Sequence, residues 1–559
     1  MLRLAPTLAI AILIGPILFG LLATALPAFG YFPTLGGTRF SLDAFAALFE
    51  RPGLLRSALL SFSSGLITTF TSLLVVVLFV AGWSGTAVFR RLQHLVSPLL
   101  SVPHAAAAFG LAFLIAPSGW IMRLLSPELT GLTRPPDVLI LQDALGLTMM
   151  GGLIVKEIPF LLLVILSALP QSNASQYSQM ATSLGYGRIA GFIHCVWPNV
   201  YRQIRLAVFA VIAYASSVVD VAIILGPDSP APLSPRLLGW MNDPDLALRF
   251  EASAGAVLQL GVTVAALVSW LLLEKIFAAL QRYYCQNGQR FARDKAVRQI
   301  GLFSITLATT IVFAGLAILA IWSVAGFWSF PDALPDSFSL RSWARALPGL
   351  QQPLWNSVII ALMATSIAVV ITLACLEQEV RSGRDGGSRA MLFVYLPLLV
   401  PQTGFVFGLQ IFFLWLGLDA TLFALVFVHL IFVLPYVFLS FSDPWRAFDP
   451  RYASVAHGLG AGLNRTFWRI RLPMLLRPAL VAFAVGFAVS IGQYLPTVLI
   501  GAGRLPTITS EAVALSSGGD RRVIGVYAFL QMVLPFVVFL VAGLVPMLLF
   551  RNRRDLKVN

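Results

Sequence analysis

The sequence predicts an all-α membrane protein of about twelve transmembrane helices, laid out as two parallel six-helix repeats. Three observations predict it. Of 559 residues, 58% are hydrophobic and only 11% charged, where a soluble chain carries about 25% charged. The apolar residues gather into stretches long enough to span a bilayer as helices, the only open-ended way to satisfy backbone hydrogen bonds in lipid. A polar segment between two stretches of the first half also recurs in the second. This composition excludes a soluble globular enzyme and leaves no room for a separate soluble domain.

In order, the expected spans are residues 5–28, 56–82, 95–117, 146–169, 203–226, 251–277, 301–327, 354–377, 390–416, 420–442, 478–501 and 524–550. The first is longer than a signal-peptide core and is followed by only a weak cleavage pattern, so it is read as a retained helix. Spans 2, 5 and 8 carry several Gly, Ser and Thr residues, the composition of close helix packing. Val102-Pro103 and Val400-Pro401 loosen spans 3 and 9. Residues 1–277 form the first repeat, 278–300 a cytosolic linker and 301–559 the second repeat.

Charge sets the orientation. The formal net charge is +14, which in a soluble protein would suggest nucleic acid. Here 25 of the 38 Lys and Arg residues fall in alternate polar segments and 12 in the others, with Lys156 inside a span. By the positive-inside rule the richer segments are cytosolic and both termini lie there. Lys275 at the end of span 6 and the linker's Arg282, Arg290, Arg293, Lys295 and Arg298 are expected near anionic head groups. Cys195, Cys285 and Cys375 fall in or beside cytosolic segments, so no disulfide is expected, and their spacing fits no zinc pattern.

Residues 176–205 laid on 451–480 give eight identities in 30: Tyr177/Tyr452, Ala181/Ala456, Leu184/Leu459, Gly185/Gly460, Gly187/Gly462, Phe192/Phe467, Pro198/Pro473 and Arg202/Arg477. About two would be expected from average residue usage. A second repeat pairs Val102-Pro103 with Val400-Pro401 and Phe109-Gly110-Leu111 with Phe407-Gly408-Leu409. Six spans separate equivalent positions, so both copies face the same side. Each polar loop is some thirty residues long and reads as two short helices around Gly185 or Gly460, a helical elbow in the cytosol. Pro198 and Pro473 are expected to stop the second short helix before the next span.

These loops resemble the EAA loops of permease subunits of binding-protein-dependent ABC importers, whose pattern is Glu-Ala-Ala, three residues, Gly, nine residues, Ile, one residue, Leu-Pro. The second copy reads Ser454-Val455-Ala456, Gly460, Ile470, Leu472 and Pro473, and the first Gln179-Met180-Ala181, Gly185, Cys195, Trp197 and Pro198. Gln179 and Ser454 replace the Glu in both. The resemblance extends over both halves and is closest to fused, double-length permeases for iron(III), thiamine and related solutes. Residues 503–531 look like a thiamine-related or uncharacterised branch of that group. It implies two ATP-binding cassette subunits docked on the loops, with ATP and Mg held there and no cofactor on this chain. It also implies a periplasmic substrate-binding protein at the outer face and a bacterial inner-membrane location. The chain itself has no phosphate-cradling Gly-x-x-x-x-Gly-Lys sequence and no zinc-hydrolase or serine-hydrolase motif.

An ionised side chain at mid-bilayer costs about 2.5–3.5 kcal/mol, so it should face the bundle interior or water. Lys156 and Glu157 in span 4 and Asp220 in span 5 are therefore candidates for the translocation pathway. Neighbours on a helix point about 100° apart, so Lys156 and Glu157 should not pair with each other. His104 and Gln402, equivalent after the Val-Pro pairs, and Gln493, near the counterpart of Asp220, are further candidates. His194 and His429 read as packing residues, and no metal site is expected. The alternative is a twelve-helix secondary transporter coupled to an ion gradient through Glu157 and Asp220.

Overall fold

The computed structural model describes residues 2–383 and 387–550. Of the Lys and Arg residues counted for orientation, Arg384, Arg551, Arg553, Arg554 and Lys557 lie outside the described residues. The helices that matter for function are α1 (Ala5–Ala28), α2 (Leu54–Trp83), α3 (His104–Ile115), α4 (Leu147–Ala168), α5 (Ala174–Ser183), α6 (Trp197–Ser217), α7 (Asp220–Leu225) and α8 (Leu248–Gln286) in the first half. The second half has α9 (Lys295–Val324), α10 (Arg341–Ser382), α11 (Gly387–Leu399), α12 (Gln402–Trp415), α13 (Leu422–Arg446), α14 (Pro450–Gly458), α15 (Leu476–Ile491), α16 (Leu495–Gly501) and α17 (Arg521–Leu549).

Among the described residues, nine helices are long and apolar enough to cross a membrane, and two sharply bent pairs raise the number to eleven. The expected twelfth span, 203–226, is the difference. Its helix α6 carries Arg202 and Arg205 near its start and stops at Ser217, where Val218 turns to an extended conformation before α7 begins at Asp220. Three other spans are likewise not the continuous helices their apolar length suggested. Val102 is extended before Pro103, and α3 starts only at His104. The chain turns by 89° between Ala390–Leu399 and Gln402–Trp415. The span at 478–501 bends by 71° at its entry and ends at Ile491, before α16. At the first two of these breaks a proline removes a donor and pushes the preceding residue out of helical conformation. The linker drawn at 278–300 is also shorter than expected, because α8 runs on to Gln286 and α9 starts at Lys295.

The halves are interlocked. α1 packs on α12 of the second half, and in equivalent fashion α9 packs on α3 of the first. Both crossings are glycine on glycine: Gly20 lies against Gly408 and Phe405, and Gly315 against Gly110, where an added Cβ would sit 2.9 Å from the Gly315 carbonyl carbon. The repeated Phe-Gly-Leu is thus the imprint of a helix crossing too close for any side chain. The largest buried apolar cluster accordingly runs from Leu13 and Ile17 of α1 to Phe405 and Leu434. The equivalent helices α4 and α13 are the most enclosed spans, 61% and 72% buried, whereas α17 is 22% buried and turns its remaining surface to lipid.

Candidate functional site

The elbow begins with one residue. On α5 the only buried side chain is Ala181, and on α14 it is Ala456. A methyl group is what the turn admits: the Cβ that Gly191 lacks would stand 2.8 Å from that of Ala181. The next turn needs a left-handed residue, and Gly185 and Gly460 supply it at φ +82° and +81°. The Tyr186 and Ala461 amides then donate back to the Ala181 and Ala456 carbonyls at 3.1 and 2.9 Å, closing each helix end. A π-helical turn follows in both copies, Phe192–Val196 and Phe467–Arg471. Pro198 does not stop the second short helix as expected: it sits at the second position of α6, where a missing N–H costs nothing. In the second copy the helix does end just after Pro473, at Met474, and bends before α15.

With Ala181 and Ala456 facing inward, the rest of each first helix points to solvent. Tyr177, Met180 and Leu184 are 37%, 61% and 60% exposed, and their counterparts Tyr452, Val455 and Leu459 are 52%, 63% and 83% exposed. Gln179 and Ser454 are exposed beside these stripes. Burial pushes the His194 imidazole below its ordinary value and the Cys195 thiol above its own, so neither is activated at neutral pH. All three cysteines are free.

The membrane interior holds the second arrangement. Lys156 and Glu157, each 5% exposed, turn apart. The Lys156 ammonium donates to the Leu99 and Leu100 carbonyls, both at 3.2 Å, groups freed by the break before Pro103. Glu157 instead meets the His104 ring at 3.1 Å. Tyr214 packs on His104 with ring centroids 4.7 Å apart. Asp220, 7% exposed, opens α7, which packs on both α3 and α4. Tyr494, from the second half, packs on the same buried cluster as Tyr214. The structure therefore pairs His104 with Glu157, leaves Asp220 on a neighbouring helix and sends Lys156 elsewhere. Gln493 adjoins Tyr494, and Gln402 forms no hydrogen bond among the described residues. His429 is buried between Ser490 and Thr497. No group of three metal-ligating side chains occurs among the described residues.

Sequence reasoning missed the tyrosines, which look like ordinary span residues, and two glutamines. Gln259 donates to the Ser216 carbonyl at 3.0 Å, at the end of α6. Gln531 donates at 2.8 Å to Thr509, whose hydroxyl donates to the Ile491 carbonyl at the end of α15. Each half thus ties its interrupted span with a fully buried Gln from its last helix. A polar residue amid apolar neighbours at equivalent places was the available signal.

Residues 380–554 match the family described as binding-protein-dependent transport system inner membrane component. Over 514 residues the chain is 34% identical to the inner membrane ABC transporter permease protein YnjC of Escherichia coli, with 92% of each chain covered. The chain belongs to the binding-protein-dependent ABC transporter permeases. It is also 24% identical to the thiamine transport system permease protein ThiP of Salmonella typhimurium, over 76% of this chain and 77% of that one. The putative 2-aminoethylphosphonate permease PhnV of Salmonella paratyphi A is 26% identical over 43% of this chain and 90% of its own length. This permease is a multi-pass inner-membrane protein and a transport component, not an enzyme. Membership implies a transport system with a partner ATPase and a binding protein, and replaces the ion-gradient alternative.

Proposed function

We propose that this permease forms the translocation pathway of an importer and is driven through its two elbows, each docking one of two ATP-binding cassette subunits. One observation carries the reading. The first helices of two elbows of equal backbone geometry each bury a single alanine and present an exposed three-residue apolar stripe. Two like surfaces fit two like subunits. ATP and Mg belong to those subunits, both termini to the cytosol, and the outer face to a periplasmic binding protein. Alternating access follows as the closing motor pushes both elbows and rocks the interlocked halves.

The solute is small, and the thiamine permease among the relatives makes thiamine-like compounds the first to test, before ferric ion. The docking test is co-purification in mild detergent. Met180→Asp with Val455→Asp should abolish recovery of the ATPase without changing the thermal unfolding of the permease, because both side chains are exposed. Unchanged recovery and uptake would refute the docking role.

A further inference from the structure

Asp220 is the unusual group in the membrane interior. It is a carboxylate only 7% exposed, and it forms no ion pair among the described residues. Its neighbour Glu157 is held by His104, and Lys156 is committed to two carbonyls. Leu495 stands at the equivalent position of the second half, so the charge is one-sided.

Two independent observations show that the region is open to a ligand. The His104 side chain is 33% exposed although its partner Glu157 is 6% exposed, so the ring borders open space. That space lies between halves, since Pro103 is beside Gly492 and Tyr494 packs on the same buried cluster as Tyr214. On that same break the Gln493 Oε1 atom is buried with no hydrogen-bond partner among the described residues, a cost that a donor would relieve.

We infer that Asp220, with the Glu157–His104 pair and the Tyr214 and Tyr494 rings, forms a site for organic cations between the two halves. The ligand class is a solute bearing an ammonium or other positively charged nitrogen. Asp220 supplies the missing counter-charge, the phenol rings offer faces to a desolvated cation, and Gln493 accepts a hydrogen bond from it. A metal ion is disfavoured because no three ligating side chains converge here among the described residues. The inference deepens the proposed transport function and rests on that reading.

The test measures charge selectivity without needing the natural solute. Gln493→Cys is placed in a chain whose Cys195, Cys285 and Cys375 are alanine, and the complex with its ATPase is embedded in nanodiscs. The single introduced thiol is then labelled with a trimethylammonium-ethyl or a sulfonato-ethyl methanethiosulfonate, each rate divided by that reagent's rate with free 2-mercaptoethanol. The cationic reagent should win by about tenfold or more, the ratio that 1.4 kcal/mol of charge preference gives. Asp220→Asn should bring the ratio close to one, and Asp220→Glu should restore it. A ratio near one with Asp220 intact, a ratio indifferent to Asp220→Asn, or no labelling by either reagent overturns the site. If the Gln493→Cys chain does not assemble, His104→Cys is the reporter, with the same expectations. Failure of the unsubstituted chain to hold an ATPase would refute the transport reading instead, a separate result.

Discussion

At the first elbow the brace is peptide, and at the second it is charge. The Gly187 amide donates to the Arg290 carbonyl at 3.0 Å, the Asp294 carboxylate accepts from the Ile189 amide at 3.0 Å, and Gln281 donates to the Ile193 carbonyl at 3.2 Å. All three partners come from the end of α8 and the segment leading to α9. The second elbow is held by side chains of its own half. There Glu377 of α10 binds Arg381 and Arg471, each at 2.7 Å, Arg381 reaches Asn464 at 2.9 Å, and Arg471 lies over Trp445 at 5.3 Å. The turn is therefore made locally, by Ala and Gly, while its attachment to the membrane domain is a separate problem with two solutions. The linker beside the first elbow performs the fastening that ion pairs perform at the second.

The sharpest way to break this contrast is Glu377→Ala. It strands the guanidinium of Arg471, whose side chain is 9% exposed, and loss of one partner of a buried pair costs about 3–5 kcal/mol. The thermal midpoint in detergent should fall far more than for Asp294→Ala, which removes a backbone cap worth about 1 kcal/mol. Equal losses would mean the braces do not differ in kind. Next, Gly187→Ala must displace the Phe291 carbonyl, whereas Gly462→Ala meets nothing within 4 Å. The first should destabilise by about 1–3 kcal/mol and the second should change stability by under about 1 kcal/mol, read from the same unfolding curves. The smallest effect is acid sensitivity. Asp449 caps α14 through the Arg451 amide, and a side-chain hydrogen bond from Arg451 holds its carboxyl below the usual value. A depressed carboxylate stabilises above its unfolded value and loses that contribution as pH falls through the folded one. Amide exchange in α14, corrected for its intrinsic pH dependence, should speed up between about pH 5 and 3, the window just around and below the ordinary Asp value. In α5, where Asn173 makes no side-chain cap, it should speed up less.

Much of the site was legible because it is periodic. Gly185 and Gly460 announce a left-handed turn wherever they occur, and the repeated Ala181 and Ala456 mark its inner contact. The separation of Lys156 from Glu157 followed from helical geometry alone. What was not legible is where the spans break. The stretch 203–226 is apolar throughout its second part, and nothing in its hydropathy marks the extended residue at Val218. The proline in each Val-Pro pair was visible, but the size of the bend was not, since a proline kink depends on what packs against it. His104 finding Glu157 across 53 residues of chain is a tertiary result of the same kind.

Composition and repetition settled an all-helical membrane protein with two like-facing elbows, because the bilayer admits few ways to satisfy a backbone and a period survives any rearrangement of its surroundings. The glycine-on-glycine crossings that lock the halves, the glutamines that tie the broken spans and the cluster around Asp220 came from the tertiary structure. Each depends on which faces of distant helices meet, and apolar spans exposed to lipid carry little amphipathic pattern to announce that choice.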